Sequence, residues 1–400
     1  ECKSLKNVKI PSLTIIEENT FRGCTSLIQI SIPPPLDSIK RFAFFGCTSL
    51  KEVLIPPSVH FIRNNAFAGC TSLNKIEIPS SVNFIGVFAF YQCSSLKEIS
   101  IPSSVKLIQG NSFCECTSLV KVTIPSSVVS IGDLAFYCCS SLTEISIPSS
   151  VTEICENSFG RCKSLKKLII PSSVTLIKNS SFIECSSLTE ISIPSSVKSI
   201  GKSAFMKCSS LTNVEFESPS SLSIIDDNTF EKCNSLIEIK IPSSVNSIGK
   251  SAFGSCHLLK QILFELPSSL TSIDDGSFEN CRSLKSVSIP DSIHLISFGM
   301  FSNCNSLSKI VIPTSIESIK NFAFSNCSSL TTITIPSSVM IIEESAFRGC
   351  KSLVQVEILS SLKQIKKSAF NGCSSLKQIT IPSSVTAIGD GAFYGCSSLN

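Results

Sequence analysis

Twenty-one cysteines and three histidines are the residues of this chain best able to do chemistry, and their spacing decides which chemistry is open. Structural zinc needs paired cysteines, typically C-x-x-C given twice over, and no such pairing occurs. Eighteen cysteines instead keep a clock of 23 residues, running Cys2, Cys24, Cys47, Cys70, Cys93 and onward to Cys396, with one interval of 22 and two of 25. Copies at one repeat position point the same way when repeats stack, which suits small buried hydrophobes. These thiols are expected to be reduced, with neighbouring sulfurs about 4.8 Å apart, one strand spacing, against about 2.05 Å for a disulfide.

Three cysteines lie off the clock. Cys114, Cys138 and Cys155 occupy positions 22, 23 and 17 of three successive repeats, counting each repeat from its cysteine. Cys114 and Cys138 could therefore share a flank, and free thiols are the expected state. His60, His257 and His294 sit far apart at different repeat positions, so they assemble no Ser-His-Asp or Cys-His constellation. Gly86, Gly132, Gly201, Gly249 and Gly389 recur at position 17 but are replaced freely elsewhere, which excludes a phosphate loop. Catalytic, cofactor and metal residues are thus expected to be none. Asn179 and Asn326 match the glycosylation acceptor pattern, which matters only in a secreted protein.

The elements follow from the same clock. The unit reads C-S-S-L-x-x-I-x-I-P-S-S-V-x-x-I-G-x-x-A-F-x-x, as between Cys185 and Lys207. Self-similarity at this period marks a solenoid whose repeats bury their apolar faces only against neighbours. The alternation in L-x-x-I-x-I predicts a short strand. Proline at position 10, as in Pro79, Pro102, Pro125 and Pro148, ends it because it has no N–H for the ladder. Apolar residues at 13 and 16 predict a second short extended segment on the back. Phe at position 21 is expected to fill the core, and a segment such as Gly132–Tyr137 is expected to form one or two turns of helix or 3₁₀.

A net charge of +4 over 400 residues, without a run of five like charges, argues against a nucleic-acid track. No stretch of 18 apolar residues occurs, so no membrane span is expected. The start has no basic, apolar leader, and no signal peptide is expected in this segment. Glu1 and Asn400 both fall inside a repeat, so residues 1–400 are expected to form one solenoid of about 17 repeats, open at both ends and part of a longer protein.

The block I-P-S-S-V-x-x-I-G-x-x-A-F-x-x-C, joined to L-x-x-I-x-I, resembles the 23-residue class of leucine-rich repeats in BspA-like surface proteins, over essentially the whole chain. The resemblance implies an α/β solenoid: a right-handed leucine-rich-repeat superhelix with a parallel concave sheet and short extended or helical segments on the convex side. It also implies adhesion at the cell surface or outside the cell, and no catalytic residues. Departures are local. Leu359 replaces the proline, Leu258 a turn serine, and Phe216-Glu-Ser-Pro and Phe264-Glu-Leu-Pro each add two residues. These pairs should bulge after Glu217 and Glu265, with Leu222 and Leu270 regaining the inward register.

The candidate binding surface is the concave strand face, where positions 6 and 8 point outward. Position 6 alternates in charge through Glu52, Lys75, Glu98, Lys121, Glu144, Lys167 and Glu190. Opposite charges across a ladder stabilise by roughly 0.2–1 kcal/mol, so the alternation suits the stack itself as well as a binding row. Position 8 is mostly small or apolar, with Ser100, Thr123, Ser146, Ile169 and Ser192 beside those charges. The expected partner is a protein, by the resemblance an extracellular-matrix or host surface protein. The other reading is a cytoplasmic scaffold or sensor arm of a larger, possibly kinase-containing protein, since buried free thiols suit a reducing compartment.

Overall fold

The structure, a computed structural model, describes residues 2–10, 15–359 and 361–400, and Glu1 lies outside them. Chain compactness divides it into two units, Glu1–Pro194 and Ser195–Asn400, built from the same coil. In the first unit the strands Asn7–Lys9, Gln29–Ser31, Glu52–Leu54 and Lys75–Glu77 pair in parallel, each with the strand one coil later. Glu98–Ser100 pairs with Lys121–Thr123, and Glu144–Ser146 with Lys167–Ile169. The second unit repeats the pattern in Glu238–Ile241, Gln261–Phe264, Ser286–Ser288 and Lys309–Val311, and again in Thr332–Ile335, Gln355–Ile358 and Gln378–Ile379.

The second extended segment is present as two-residue strands. Ile15–Ile16, Ser38–Ile39, Phe61–Ile62 and Phe84–Ile85 form one parallel ladder, and Ser199–Ile200, Ile224–Ile225, Ser247–Ile248 and Ser272–Ile273 another. Between the two ladders lies the core. In the coil opened by Cys70, the side chains of Cys70, Leu73, Ile76, Val82, Ile85, Ala89 and Phe90 are all buried. The position-21 rings stack nearly parallel, Phe44 on Phe67 at 5.2 Å and 2°, and in the second unit Phe324 on Phe347 at 5.2 Å and 7°. Those separations exceed the strand spacing of about 4.8 Å, so the rings slip sideways into the offset arrangement that aromatic quadrupoles favour.

The expected helical turns do not form: the described residues contain strands and turns but no helix. The reason lies in how the amides are divided. Within Gly132–Tyr137, Ala135 N–H bonds the Gly132 carbonyl and Tyr137 N–H the Leu134 carbonyl, while Leu134 and Phe136 donate to Glu156 and Ser158 of the next coil. Alternate donors thus close tight turns and build a third inter-coil ladder. A helix would commit them all to its own axis. Positions 19 and 23 meanwhile hold left-handed φ values, 56° at Leu134 and 59° at Cys138, which interrupt any helical run.

The serines of the repeat are also structural donors. In most coils the serine at position 12 bonds a carbonyl one coil back, Ser81 Oγ to Val59 at 2.7 Å and Ser244 Oγ to Leu222 at 2.7 Å. Both two-residue insertions bulge as expected. Leu266 stands 81% exposed, yet Leu222 and Leu270 return to full burial within the second unit.

Candidate protein-binding face

The three-residue strands present an exposed, buried, exposed pattern. Glu98 and Ser100 flank buried Ile99, Lys121 and Thr123 flank Val122, Glu144 and Ser146 flank Ile145, and Lys167 and Ile169 flank Leu168. Glu190 and Ser192 continue both rows around Ile191. Register sets Glu98 beside Lys121, Glu144 beside Lys167, and Glu52 beside Lys75, the unlike neighbours that make the stack self-compatible. Lys75 also reaches Glu77 on its own strand at 3.3 Å.

The backbone ladder lapses after Lys75–Glu77, between Lys121–Thr123 and Glu144–Ser146, and between Lys167–Ile169 and Glu190–Ile193. A shallow cleft of 390 Å³ opens at each of the first two. The first is floored by Ile76 and Ile99 and rimmed by Lys75, Glu98, Ser100, Lys121 and Thr123. The second is rimmed by Lys121, Thr123, Glu144, Ser146, Lys167 and Ile169. The clefts share Lys121 and Thr123, so eight of the ten candidate residues meet around two adjoining depressions, while Glu190 and Ser192 line neither. Ile169 is 63% exposed and Leu54 65%, large apolar side chains held out on the same face. Such a surface combines exposed apolar side chains with paired charges of both signs.

Sequence reasoning missed a third cleft, of 500 Å³ in the second unit, between Asn213–Ser218 and the strand bearing Lys240. The extra residues after Phe216 were its only signal. Glu265 closes one side through a 2.7 Å ion pair with Lys240, which, with the Ser243 amide, holds its carboxyl below the usual range.

The candidate chemistry stays dispersed. His60 Nδ1 lies 2.9 Å from Asp37 and His294 Nδ1 3.1 Å from the Ser315 carbonyl, while His257 is pushed down by burial and by Arg282. Among the described residues no group of three His, Cys, Asp or Glu is placed to hold a metal. All cysteines are free thiols. Burial pushes Cys114 up to about 12 and Cys155 up to about 11, and raises Cys138 against the pull of Arg161. Thiolate chemistry is thereby suppressed. Among the described residues no helix is long and apolar enough to cross a membrane.

Comparison with known proteins agrees with this architecture. The family described as BspA type leucine rich repeat region matches residues 1–120, 84–212, 176–307 and 294–400. The crystal structure of a leucine-rich repeat protein from Bacteroides ovatus is similar, with 28% identity over 98% of this chain and 85% of that one and a TM-score of 0.50. A leucine rich cell surface protein from Faecalibacterium prausnitzii is similar at 29% identity over 88% of this chain and 92% of that one, with a TM-score of 0.50. No curated protein sequence matches.

Proposed function

The chain belongs to the BspA-type leucine-rich repeat family, and from that premise we propose that it is a non-enzymatic protein-binding module of the cell surface. It acts as an adhesin or surface antigen, engaging an extracellular-matrix, host or neighbouring-cell protein through the face that carries Glu98, Lys121, Glu144 and Lys167. The observation that carries the reading is the pair of adjoining clefts on that face, rimmed by unlike charges with Ile169 held out beside them. The similarity to a protein described as a cell surface protein supports the location. A cytoplasmic scaffold is favoured by one observation, the free thiol at every described cysteine, which suits a reducing compartment.

The test is Ser146, Ile169 and Ser192 replaced together by Arg, assayed for binding to intact cells and to immobilised matrix proteins. Thr152→Arg with Thr175→Arg, exposed outside these strands, is the control. Exposed substitutions shift stability by less than about 0.5 kcal/mol each, so binding should fall in the first set with unfolding unchanged. Loss of binding in the control set alone would place recognition elsewhere.

A further inference from the structure

One flank of the first unit, formed by positions 19 and 22 of the turn segment, is patterned in steps of two coils. Position 22 runs Phe45, Ala68, Tyr91, Cys114, Tyr137, Gly160, large and small in strict alternation. Position 19 runs Phe42, Asn65, Phe88, Asn111, Leu134, Asn157, apolar residues alternating with asparagine in the same phase. The large residues therefore meet as pairs on every second coil. Phe42 and Phe45 pack edge to face at 5.6 Å, and Phe88 and Tyr91 at 5.5 Å. Leu134 and Tyr137 occupy the corresponding places two coils on, and all six side chains are half-buried. Ala68 and Cys114, between the pairs, are buried.

Packing explains part of the alternation at position 22, where Tyr137 and Ile183 close over Gly160, but it does not explain position 19. Position 19 is left-handed in every coil, with φ 57° at Phe42, 58° at Phe88 and 56° at Leu134. Asn65 and Asn111 make the same turn at 57°, and asparagine tolerates that region while a bulky residue there is a true outlier. The chain thus places strained aromatic and aliphatic side chains at the surface where asparagine serves the fold better, and an outlier of this kind points to a use beyond folding.

The spacing and the rim identify that use. Core rings one coil apart are separated by 5.2 and 5.4 Å, so pairs on alternate coils recur at about 10 Å, two strand spacings. An extended peptide presents the same face about every 6.8 Å and falls out of step. In an extended β-1,4-linked glycan successive sugars are flipped, and the same face returns at every second ring, a repeat of matching length. Beside the rings stand groups suited to sugar hydroxyls. Glu115 accepts from Tyr91 Oη at 3.2 Å and from Gln92 Nε2 at 2.9 Å, and Arg161 lies 5.6 Å from the Tyr137 ring while pairing with Glu184 at 3.3 Å. Arg22 lies over the Phe42 and Phe45 rings at 5.2 and 5.1 Å, as Arg161 lies over Tyr137.

We propose that this flank binds an extended β-1,4-linked glycan, its sugar rings laid on the apolar pairs at Phe88–Tyr91 and Leu134–Tyr137 and its hydroxyls turned toward Glu115, Gln92 and Arg161. The site is separate from the strand face and does not depend on it.

The chain has three tyrosines and no tryptophan, so tyrosine emission reports on Tyr91 and Tyr137 once Tyr394→Phe removes the third. Cellohexaose and chitohexaose are titrated to millimolar concentration against this protein, with maltohexaose as the α-linked control. Saturable binding of at least one β-linked hexamer and none of maltohexaose is expected. Phe88→Asn, a residue the neighbouring coils already use, should weaken that binding by about tenfold, the loss of one aromatic contact. Phe322→Asn in the second unit should leave it unchanged. Failure of both β-linked hexamers to bind, equal binding of maltohexaose, or unaltered affinity in Phe88→Asn overturns the proposal.

Discussion

The thiol of Cys70 donates to the carbonyl oxygen of Phe44 one coil earlier, at 3.1 Å, and the same oxygen accepts the amide of Cys47 at 3.1 Å. The bond recurs along both units, Cys116 to Phe90 and Cys256 to Phe230 at 3.2 Å each. The ladder cysteine is therefore more than a small hydrophobe: it satisfies the second lone pair of a buried carbonyl. Cys70→Ala removes that donor and opens a small void, and it should destabilise by about 1–2 kcal/mol. Infrared spectroscopy offers an independent check. The S–H stretch of the folded protein should lie below that of the denatured chain, and coincident bands would show that the thiols donate to nothing.

Much of this was legible in the sequence because hydropathy and period carry it. Leu73, Ile76 and Phe90 face inward because their positions repeat, and the strands stop short of residues such as Pro102 because proline ends a ladder. The helical expectation failed at Gly132–Tyr137 because the turn's alternate amides serve the neighbouring coil, a demand made only by stacking. Cys70 and Ser81 looked like filler and turn material for a related reason: their acceptors lie more than 20 residues away, on Phe44 and Val59. The rows at Glu98 and Lys121 could be read from alternation, but the clefts between them could not, because the repeat gives every coil the same pattern.

Alkaline pH should unfold the protein through these same thiols. Burial, with the neighbouring Cys24 adding to it, pushes Cys47 up to about 12, and burial raises Cys70, Cys93 and Cys139 as well. A raised thiol pKa means the folded state holds its proton longer than the unfolded chain. The stabilisation is complete below the unfolded value of about 8.5, and it is lost as pH rises from there through the folded values. Urea midpoints should therefore fall progressively between about pH 8.5 and 11. Replacing ladder cysteines by Ala should flatten that slope, and a flat wild-type profile would contradict the assignment.

The insertion at Glu265 makes the opposite prediction at acid pH. Its carboxylate takes the Ser243 amide at 3.2 Å and pairs with Lys240 at 2.7 Å, tying the bulged turn to the preceding coil. Glu217 holds the other insertion in the same way, accepting from the Ser195 amide at 3.3 Å. Because the Lys240 hydrogen bond, with Ser243, depresses the Glu265 pKa, its contribution is present above the ordinary glutamate value of about 4.3, and it is lost as pH falls through the lowered folded value. Lys240 is well exposed and the pair is screened by solvent, so Glu265→Gln should cost only about 0.5 kcal/mol at pH 7. The difference in urea midpoint between wild type and Glu265→Gln should vanish near pH 3. If it persists there undiminished, the side chain holds the turn through its shape and not its charge.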